Sequence, residues 1–164
     1  MDKMQSDFKG KLLVAKPHAM RDPYFQKSVV YVYEQQESVI IGLILNKHSN
    51  MNLADVHKLR GAVGNSGVNA PLYRGGPVSE QSLLLLHTAE WQSTNTIQAT
   101  HGNAVTSDEL MLDKLGENNL PNCFRMMSGM STWVLGQIQN EIYRNKSWLV
   151  IYPKSPTFFL LHMV

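Results

Sequence analysis

The stretch that decides the fold spans residues 10–46 and reads GKLLVAKPHAMRDPYFQKSVVYVYEQQESVIIGLILN. It contains three short apolar runs, at residues 12–15, 28–33 and 39–45, separated by polar or turn-forming residues. Runs of this length, rich in Val, Ile and Tyr, are typical of strands rather than helices. The second and third runs predict a hairpin with a longer loop at residues 34–38. Because neither run alternates cleanly between apolar and polar residues, we expect the hairpin to be central and covered on both faces.

The rest of the chain mixes strand-like and helix-like segments, which predicts an α+β fold. A chain of 164 residues predicts one domain over residues 1–164. Residues 1–9 are polar, and we expect them to be loosely ordered with Phe8 as an anchor. Helices are predicted at residues 52–61, 106–116 and 133–145. Further strands are predicted at residues 11–16, 82–87, 96–100, 124–130, 148–152 and 158–161.

Capping patterns mark the starts of the first two predicted helices. Asn52 is followed three residues later by Asp55, and Thr106 is followed by Glu109, so each pair predicts a capping box. The third helix is predicted from an apolar stripe at helical spacing, which consists of Val134, Leu135, Ile138 and Ile142.

The composition indicates an ordinary globular protein. Hydrophobic residues make up 43% and charged residues 17% of the chain, and the net charge is +2 from 15 basic and 13 acidic residues. The basic residues are scattered rather than clustered, so we expect no specific nucleic-acid binding. No apolar run approaches the ~20 residues of a membrane helix, and residues 1–10 lack the apolar core of a signal peptide. The prediction is a cytoplasmic protein without membrane attachment.

Metal and nucleophile chemistry find little support in the sequence. The single cysteine, Cys123, has no neighbouring histidine and excludes an intramolecular disulfide, so a buried thiol is the favoured interpretation. No two histidines have the spacing that places both on one helix face, so we expect no metal and no cofactor. The six histidines are His18, His48, His57, His87, His101 and His162.

The turn Arg74-Gly75-Gly76-Pro77 is the most suggestive candidate site. Two glycines free backbone N–H groups to approach an anion, and Arg74 would add positive charge. A plain tight turn, with the glycines there for its geometry, is the favoured interpretation. A helix face with Gln137 and Glu141 would line a groove, or lie in solvent. The candidate groove or anion-binding residues are Asp22, Asn46, Arg74, Gly75, Gly76, Pro77, His87, Gln137 and Glu141.

Three stretches resemble the AlgH/YqgE family of bacterial proteins. They are residues 10–46, the segment LYRGGPVSEQSLLLLH at residues 72–87, and SGMSTWVLGQIQNEI at residues 128–142, in the order in which the family has them. The chain departs from the family pattern at Gln35, where a histidine is usual, and at residues 130–132, which read Met-Ser-Thr.

The resemblance implies a fold and a setting. It implies a bifurcated, partly barrel-like mixed sheet surrounded by helices, in a bacterial cytosolic protein. The family has no established biochemical activity, and its namesake is classed as a transcriptional regulator, although no helix-turn-helix pattern occurs in this chain.

Two classes of function follow. The first is a non-catalytic regulatory or protein-interaction role with a protein partner. The second is a small-molecule-binding protein or enzyme that uses the polar groove near the Gly-Gly-Pro turn. Residues 158–164 contain one polar residue in seven, and we expect that apolar surface there favours a second subunit, as in a homo-oligomer.

Overall fold

The computed structural model describes residues 4–60 and 69–153, which form an α+β fold with a sheet curled into a half-barrel. The sheet order is β10-β1-β2-β3-β9-β6-β8-β7, while β5 joins β9 from the side and carries β4. The strands are β1 Leu12–Ala15, β2 Val29–Gln36, β3 Val39–Ile44, β4 His48–Asn52, β5 Pro71–Arg74, β6 Val78–Thr88, β7 Thr96–Gln98, β8 Asn103–Thr106, β9 Phe124–Val134 and β10 Trp148–Ile151. The helices are α1 Leu53–Leu59, α2 Leu110–Gly116 and α3 Leu135–Gln139, and a π-helical turn, Asn140–Arg144, continues α3.

The predicted hairpin is confirmed and is central. β2 and β3 pair antiparallel, β1 flanks β2, and β9 flanks β3. The loop is shorter than expected, because Gln36 pairs with Val39 and only Glu37 and Ser38 connect the strands. Glu37 has a φ of 54°, the left-handed conformation that a tight two-residue turn uses. Register is therefore set at the turn itself.

Both faces of the hairpin are buried, as the missing alternation predicts. Val30 and Val32 face one apolar cluster with Trp133, whereas Tyr31 and Tyr33 face a second cluster. A third cluster contains the buried residues of α1 and α2. α3 therefore packs on the first cluster through Ile138, and α1 and α2 pack on the third.

β9 makes the sheet bifurcated. Its first half pairs in parallel with β5, through Met126 to Ser128, and its last residues pair antiparallel with β3, from Ser131 to Val134. The change of partner occurs at Gly129, whose φ is 73°. β6 follows the opposite edge of β9 past this point. One long strand thus connects the two arms of the sheet, one made of β4 and β5 and the other of β3, β2, β1 and β10.

The two glycines of the predicted turn are needed for close packing against β9. A Cβ atom on Gly76 would collide with the carbonyl group of Met130, and one on Gly75 would collide with the carbonyl oxygen of Gly129. The Gly75 N–H donates to the Ser128 carbonyl at 2.7 Å, and its own carbonyl accepts from the N–H of Ile44 at 2.9 Å. The turn between β5 and β6 therefore fits between the two arms only without side chains.

The capping signals were informative for α1 and misleading for α2. The side chain of Asn52 accepts from the N–H of Asp55, and Asp55 accepts from the N–H of Asn52, so the first capping box is confirmed. The predicted box at Thr106 is wrong, because Thr106 is the last residue of β8. The N–H of Met111 instead donates to Asp108 at 2.9 Å, and α2 begins at Leu110.

The third helix begins two residues later than predicted. Trp133 and Val134 belong to β9, which extends beyond the expected end at residue 130, and Val134 is exposed rather than in the core. Ile138 and Ile142 are buried as expected. The helix also changes to π geometry at Asn140, which widens its last turn.

Three strands, β4, β5 and β8, were not predicted. Each is only four or five residues long and is defined by its pairing, β4 with β5, β5 with β9 and β8 with β6. At the N-terminus Phe8 is fully buried, and its N–H donates to the side chain of Gln35 at 2.8 Å.

The strand predicted at residues 158–161 lies outside the described residues. No helix in the described part of the chain has the length and apolarity that crossing a membrane requires.

Val30→Asp is expected to prevent folding. Val30 has no exposed surface, and an unpaired buried carboxylate costs several kcal/mol, comparable to the ~5–15 kcal/mol that stabilises a whole domain. Ile41, expected to be equally buried, is only half-buried, so Ile41→Asp should cost less. Urea denaturation followed by circular dichroism measures both, with Val39→Asp on the exposed end of β3 as the control. A folded Val30→Asp variant with an unchanged midpoint would refute the central hairpin.

Gly76→Ala is expected to destabilise the protein by several kcal/mol, because the added methyl group meets backbone rather than a side chain that can move. Gly136→Ala in α3 is the matched control. Nothing lies within 4 Å of its added Cβ, and alanine favours a helix over glycine by roughly 0.5–1 kcal/mol. Equal unfolding midpoints for the two variants would contradict the close approach of the turn to β9.

Candidate functional site

The nine candidate residues do not form one groove. Asp22, Gln137 and Glu141 line one cavity, while Arg74 and Gly76 line another. The other four, Asn46, Gly75, Pro77 and His87, line neither. Two sites of different chemistry therefore replace the single predicted site.

Asn46 has a structural role. Its side-chain oxygen accepts from the N–H of Val29 at 2.9 Å, and its side-chain nitrogen donates to the carbonyl of Lys27 at 2.8 Å. Lys27 has a φ of 63°, which is uncommon for a residue with a side chain. Asn46 thus fixes the start of β2 against the end of β3.

His87 is fully buried, so it cannot contact a ligand in either cavity. Its Nδ1 lies 2.8 Å from the Thr88 carbonyl oxygen, which makes Nδ1 the protonated nitrogen, and Nε2 lies 2.7 Å from the hydroxyl of Thr106. Burial lowers the pKa of His87, against the opposing effects of that carbonyl and of Glu90. The imidazole is a neutral connection between β6 and β8.

The Gly75 amide is already used within the sheet. Its N–H donates to the Ser128 carbonyl, so this amide is not available to an anion. Pro77 is exposed at the start of the turn into β6. What the turn supplies to a site is therefore the side chain of the preceding residue, Arg74.

The Arg74 cavity has a volume of about 590 Å³ and lies between α1, β5, β6 and the connection from β1 to β2. Apolar and polar or charged residues both line it. The apolar residues are Met51, Val56, Leu59, Leu72 and Leu83. The other lining residues are Tyr24, Ser49, Asn50, Arg60, Arg74, Gly76, Glu80, Gln81 and Ser128.

Positive charge is concentrated beside this cavity. The pKa of Lys47 is lowered, mainly by burial and further by the charge of Arg74, while Asp22 acts in the opposite direction. The pKa of Tyr24 is raised by burial and by Glu80, and Arg74 opposes that shift. Lys47 also lies 4.6 Å from the centre of the Tyr24 ring. Arg74 therefore influences two neighbouring groups through its charge.

The second cavity, the Trp133 cavity, has a volume of about 630 Å³. The π-helical turn forms one side and the connection from β1 to β2 forms the other. Its lining residues are Ala19, Met20, Arg21, Asp22, Phe25, Trp133, Gln137, Glu141, Asn145 and Ser147. The same connection supplies Tyr24 to the Arg74 cavity, so the two cavities are neighbours separated by this segment.

Sequence reasoning missed several residues of both cavities. Tyr24 and Phe25 form an aromatic pair in the segment between β1 and β2, and this pair was the available signal. Trp133 was assigned to a helix, which hid its place at the end of a strand. Arg60 lies at the end of α1 and pairs with Glu109 at 3.5 Å, a contact between distant segments that no local pattern indicates.

Catalytic arrangements are limited in the described residues. No group of three or more His, Cys, Asp or Glu side chains there is placed to hold a metal ion. Thr106 and His87 form a hydroxyl–imidazole pair, but both are fully buried, so a substrate cannot reach the hydroxyl. The half-buried Cys123 has its N–H bonded to the Thr88 hydroxyl at 3.1 Å. The cavities therefore offer binding groups rather than an activated nucleophile.

Comparison with known proteins places the chain in a family. The AlgH-like family, DUF179, matches residues 12–162. UPF0301 protein VP2612 of Vibrio parahaemolyticus is 36% identical over 145 residues, which cover 85% of this chain and 76% of that protein. A UPF0301 protein of Francisella philomiragia is 32% identical over 164 residues, which cover 97% of this chain and 84% of that protein.

Solved structures agree in fold. The solution structure of the AlgH protein of Pseudomonas aeruginosa matches with a TM-score of 0.79 and 25% identity, covering 99% of this chain and 86% of that one. The crystal structure of protein DIP2367 of Corynebacterium diphtheriae matches with a TM-score of 0.70 and 23% identity, covering 95% and 81% of the two chains. The chain belongs to the AlgH-like family, DUF179, and shares its α+β fold with the AlgH protein of Pseudomonas aeruginosa, a UPF0301 protein.

Proposed function

We propose that the protein is a non-catalytic binding protein that takes a small organic anion with an apolar body into the Arg74 cavity. This binding serves a regulatory or protein-interaction role in the bacterial cytoplasm. The observation that carries the proposal is the Arg74 side chain, which lines the cavity and has no carboxylate within 4 Å in the described part of the chain.

Charge balance favours an anion over a cation. The cavity is lined by two arginines and one carboxylate, Glu80, and Lys47 lies beside it. Arg60 is already paired with Glu109, whereas Arg74 is not paired in this way. A guanidinium group matches the geometry of a carboxylate or phosphate and binds either through two parallel hydrogen bonds. A bound anion would supply the charge that Arg74 lacks nearby.

Size and lining favour an apolar body on the ligand. Ligand cavities commonly measure about 300–1,000 Å³ and combine apolar walls with a few polar groups. The Arg74 cavity fits this description, with aliphatic side chains from α1, β5 and β6 in its lining beside the two arginines. An anion without an apolar part would leave these aliphatic side chains in contact with water. A medium-chain carboxylate has both required features.

Octanoate is the first probe, and thermal denaturation measures its binding. A ligand at 100 times its dissociation constant stabilises the folded state by about 2.7 kcal/mol, which raises the melting temperature by roughly 5–10 °C in a protein of this size. Octan-1-ol and octylammonium are the neutral and cationic controls. Equal stabilisation by all three would contradict recognition of the negative charge.

Arg74→Gln is expected to weaken octanoate binding by about tenfold or more, because a charge-assisted hydrogen bond contributes about 1.5–3 kcal/mol. Arg144→Gln is the matched control, since Arg144 is exposed on the π-helical turn and does not line the Arg74 cavity. Titration calorimetry measures both affinities. The proposal fails if the two variants bind octanoate as tightly as the unmodified protein.

A transcriptional role would have to act through a partner rather than through specific DNA contacts. With a net charge of +2 and scattered basic residues, we expect DNA binding to be weak and independent of sequence. Fluorescence anisotropy at physiological salt tests this. A sequence-selective complex with a dissociation constant near 1 nM would contradict it, since specific complexes typically bind at about 10⁻⁸ to 10⁻¹¹ M.

A further inference from the structure

We propose that the Trp133 cavity is a second binding site, which takes a small organic ammonium ion with an aromatic or apolar body. The groups that carry this inference are the carboxylates of Glu141 and Asp22, the hydroxyl of Ser147, and the aromatic wall formed by Phe25 and Trp133. The required ligand charge is opposite to that of the Arg74 cavity. This site does not depend on the function proposed above.

The aromatic wall is held in place by packing. The Phe25 and Trp133 ring centres lie 5.6 Å apart, and Phe25 and Trp148 lie 5.7 Å apart in an edge-on arrangement. Trp133 and Trp148 are also edge-on at 5.9 Å. Since each ring contacts the other two, none can turn independently. A ligand therefore meets a preformed apolar surface, and aromatic faces attract cations.

Glu141 is oriented by two contacts. One carboxylate oxygen, Oε1, accepts a hydrogen bond from the indole N–H of Trp148 at 3.0 Å. The Glu141 backbone carbonyl accepts from the N–H of Ser147 at 2.8 Å, across the π-helical turn. The other carboxylate oxygen makes no hydrogen bond with a described residue. Single π-helical turns within helices are frequent at functional sites.

The negative charge of the cavity is not neutralised by an ion pair. In the described ranges, ion pairs within 4 Å join Lys9 to Glu34 and Arg60 to Glu109, and neither involves this cavity. The Asp22 carboxylate accepts a hydrogen bond from the N–H of Tyr24 at 2.9 Å. Its charge also opposes the lowering of the pKa of Lys47, which lies beside the Arg74 cavity. Arg21 is exposed and also lines the cavity, so the lining contains two carboxylates and one guanidinium group.

Ser147 supplies a further polar group to the cavity. The residue is only 8% exposed, yet it lines the cavity. Its backbone groups are bonded to Lys16 and Glu141. Its hydroxyl has no hydrogen-bond partner among the described residues and is not one of their fully buried unpaired polar atoms, so a bound donor can reach it. An ammonium group has three N–H donors, enough for Glu141, Ser147 and Asp22.

The probe for this site is 2-phenylethylammonium, which carries an ammonium group on a short arm beside an aromatic ring. Titration calorimetry is expected to give saturable binding with a dissociation constant below about 1 mM. The neutral analogue 2-phenylethanol and the anion 3-phenylpropionate have similar bodies, and each is expected to bind at least about tenfold more weakly.

Two variants test which groups recognise the charge. Glu141→Gln keeps an oxygen that can accept from Trp148 but removes the charge, and it should weaken binding by about tenfold or more. Asp22→Asn keeps an acceptor for the N–H of Tyr24. Its affinity for 2-phenylethylammonium tests the role of the negative charge if Glu141→Gln fails to fold. Glu117→Gln at the end of α2 is the matched control, because Glu117 is exposed and does not line the cavity.

Three results would overturn the inference. They are no binding of 2-phenylethylammonium at millimolar concentration, equal binding of its neutral analogue, or unchanged affinity in folded Glu141→Gln and Asp22→Asn variants. Arg74→Gln separates this site from the Arg74 cavity. It should weaken octanoate binding by about tenfold or more while 2-phenylethylammonium binding is retained, so that the failure of one site leaves the other testable.

Discussion

The structure depends on a backbone-to-backbone contact between the turn at Gly75 and Gly76 and the middle of β9. At this place β9 exchanges β5 for β3 as its neighbour, and Gly129 adopts a left-handed conformation. The space between the two arms admits no side chain. Because Gly75 is bonded to both Ser128 and Ile44, it joins the arms directly.

This contact also positions both cavities. Arg74 pairs with Ser128 on one side of the change of partner, and both residues line the Arg74 cavity. Trp133 lies five residues further along β9 and forms a wall of the Trp133 cavity. One strand therefore carries a residue of each site on a rigid scaffold, which is a more accurate way of placing side chains than a free loop.

Local patterns predicted the parts of the fold that local physics determines. The hairpin and the Asn52 capping box depend on residues close in sequence, and both were confirmed. The Thr106 box failed because the hydroxyl of Thr106 is bonded to His87 in a neighbouring strand, a contact that outweighs a capping preference. Trp133 was assigned to a helix because the apolar end of β9 is followed directly by the apolar residues of α3, with no turn residue between the two elements.

The candidate site was predicted less well, for a physical reason. Sequence patterns identified Arg74, Asp22 and Glu141, which do line cavities, but they gave no sign that these residues lie in two places with opposite charge. That separation arises from the segment between β1 and β2, which lies between the two cavities. His87 and Asn46 were included because polar residues at strand ends often serve a site, whereas here their partners are backbone groups and a threonine.

The segment between β1 and β2 has a consequence for genetics. It provides Tyr24 to one cavity and Asp22 and Phe25 to the other, so a substitution at Phe25 would disturb the segment that the two cavities share. Arg74 and Glu141 each line one cavity only. Under the two proposals above, alleles that separate the two binding functions are to be sought at these two positions, and pleiotropic alleles in the shared segment.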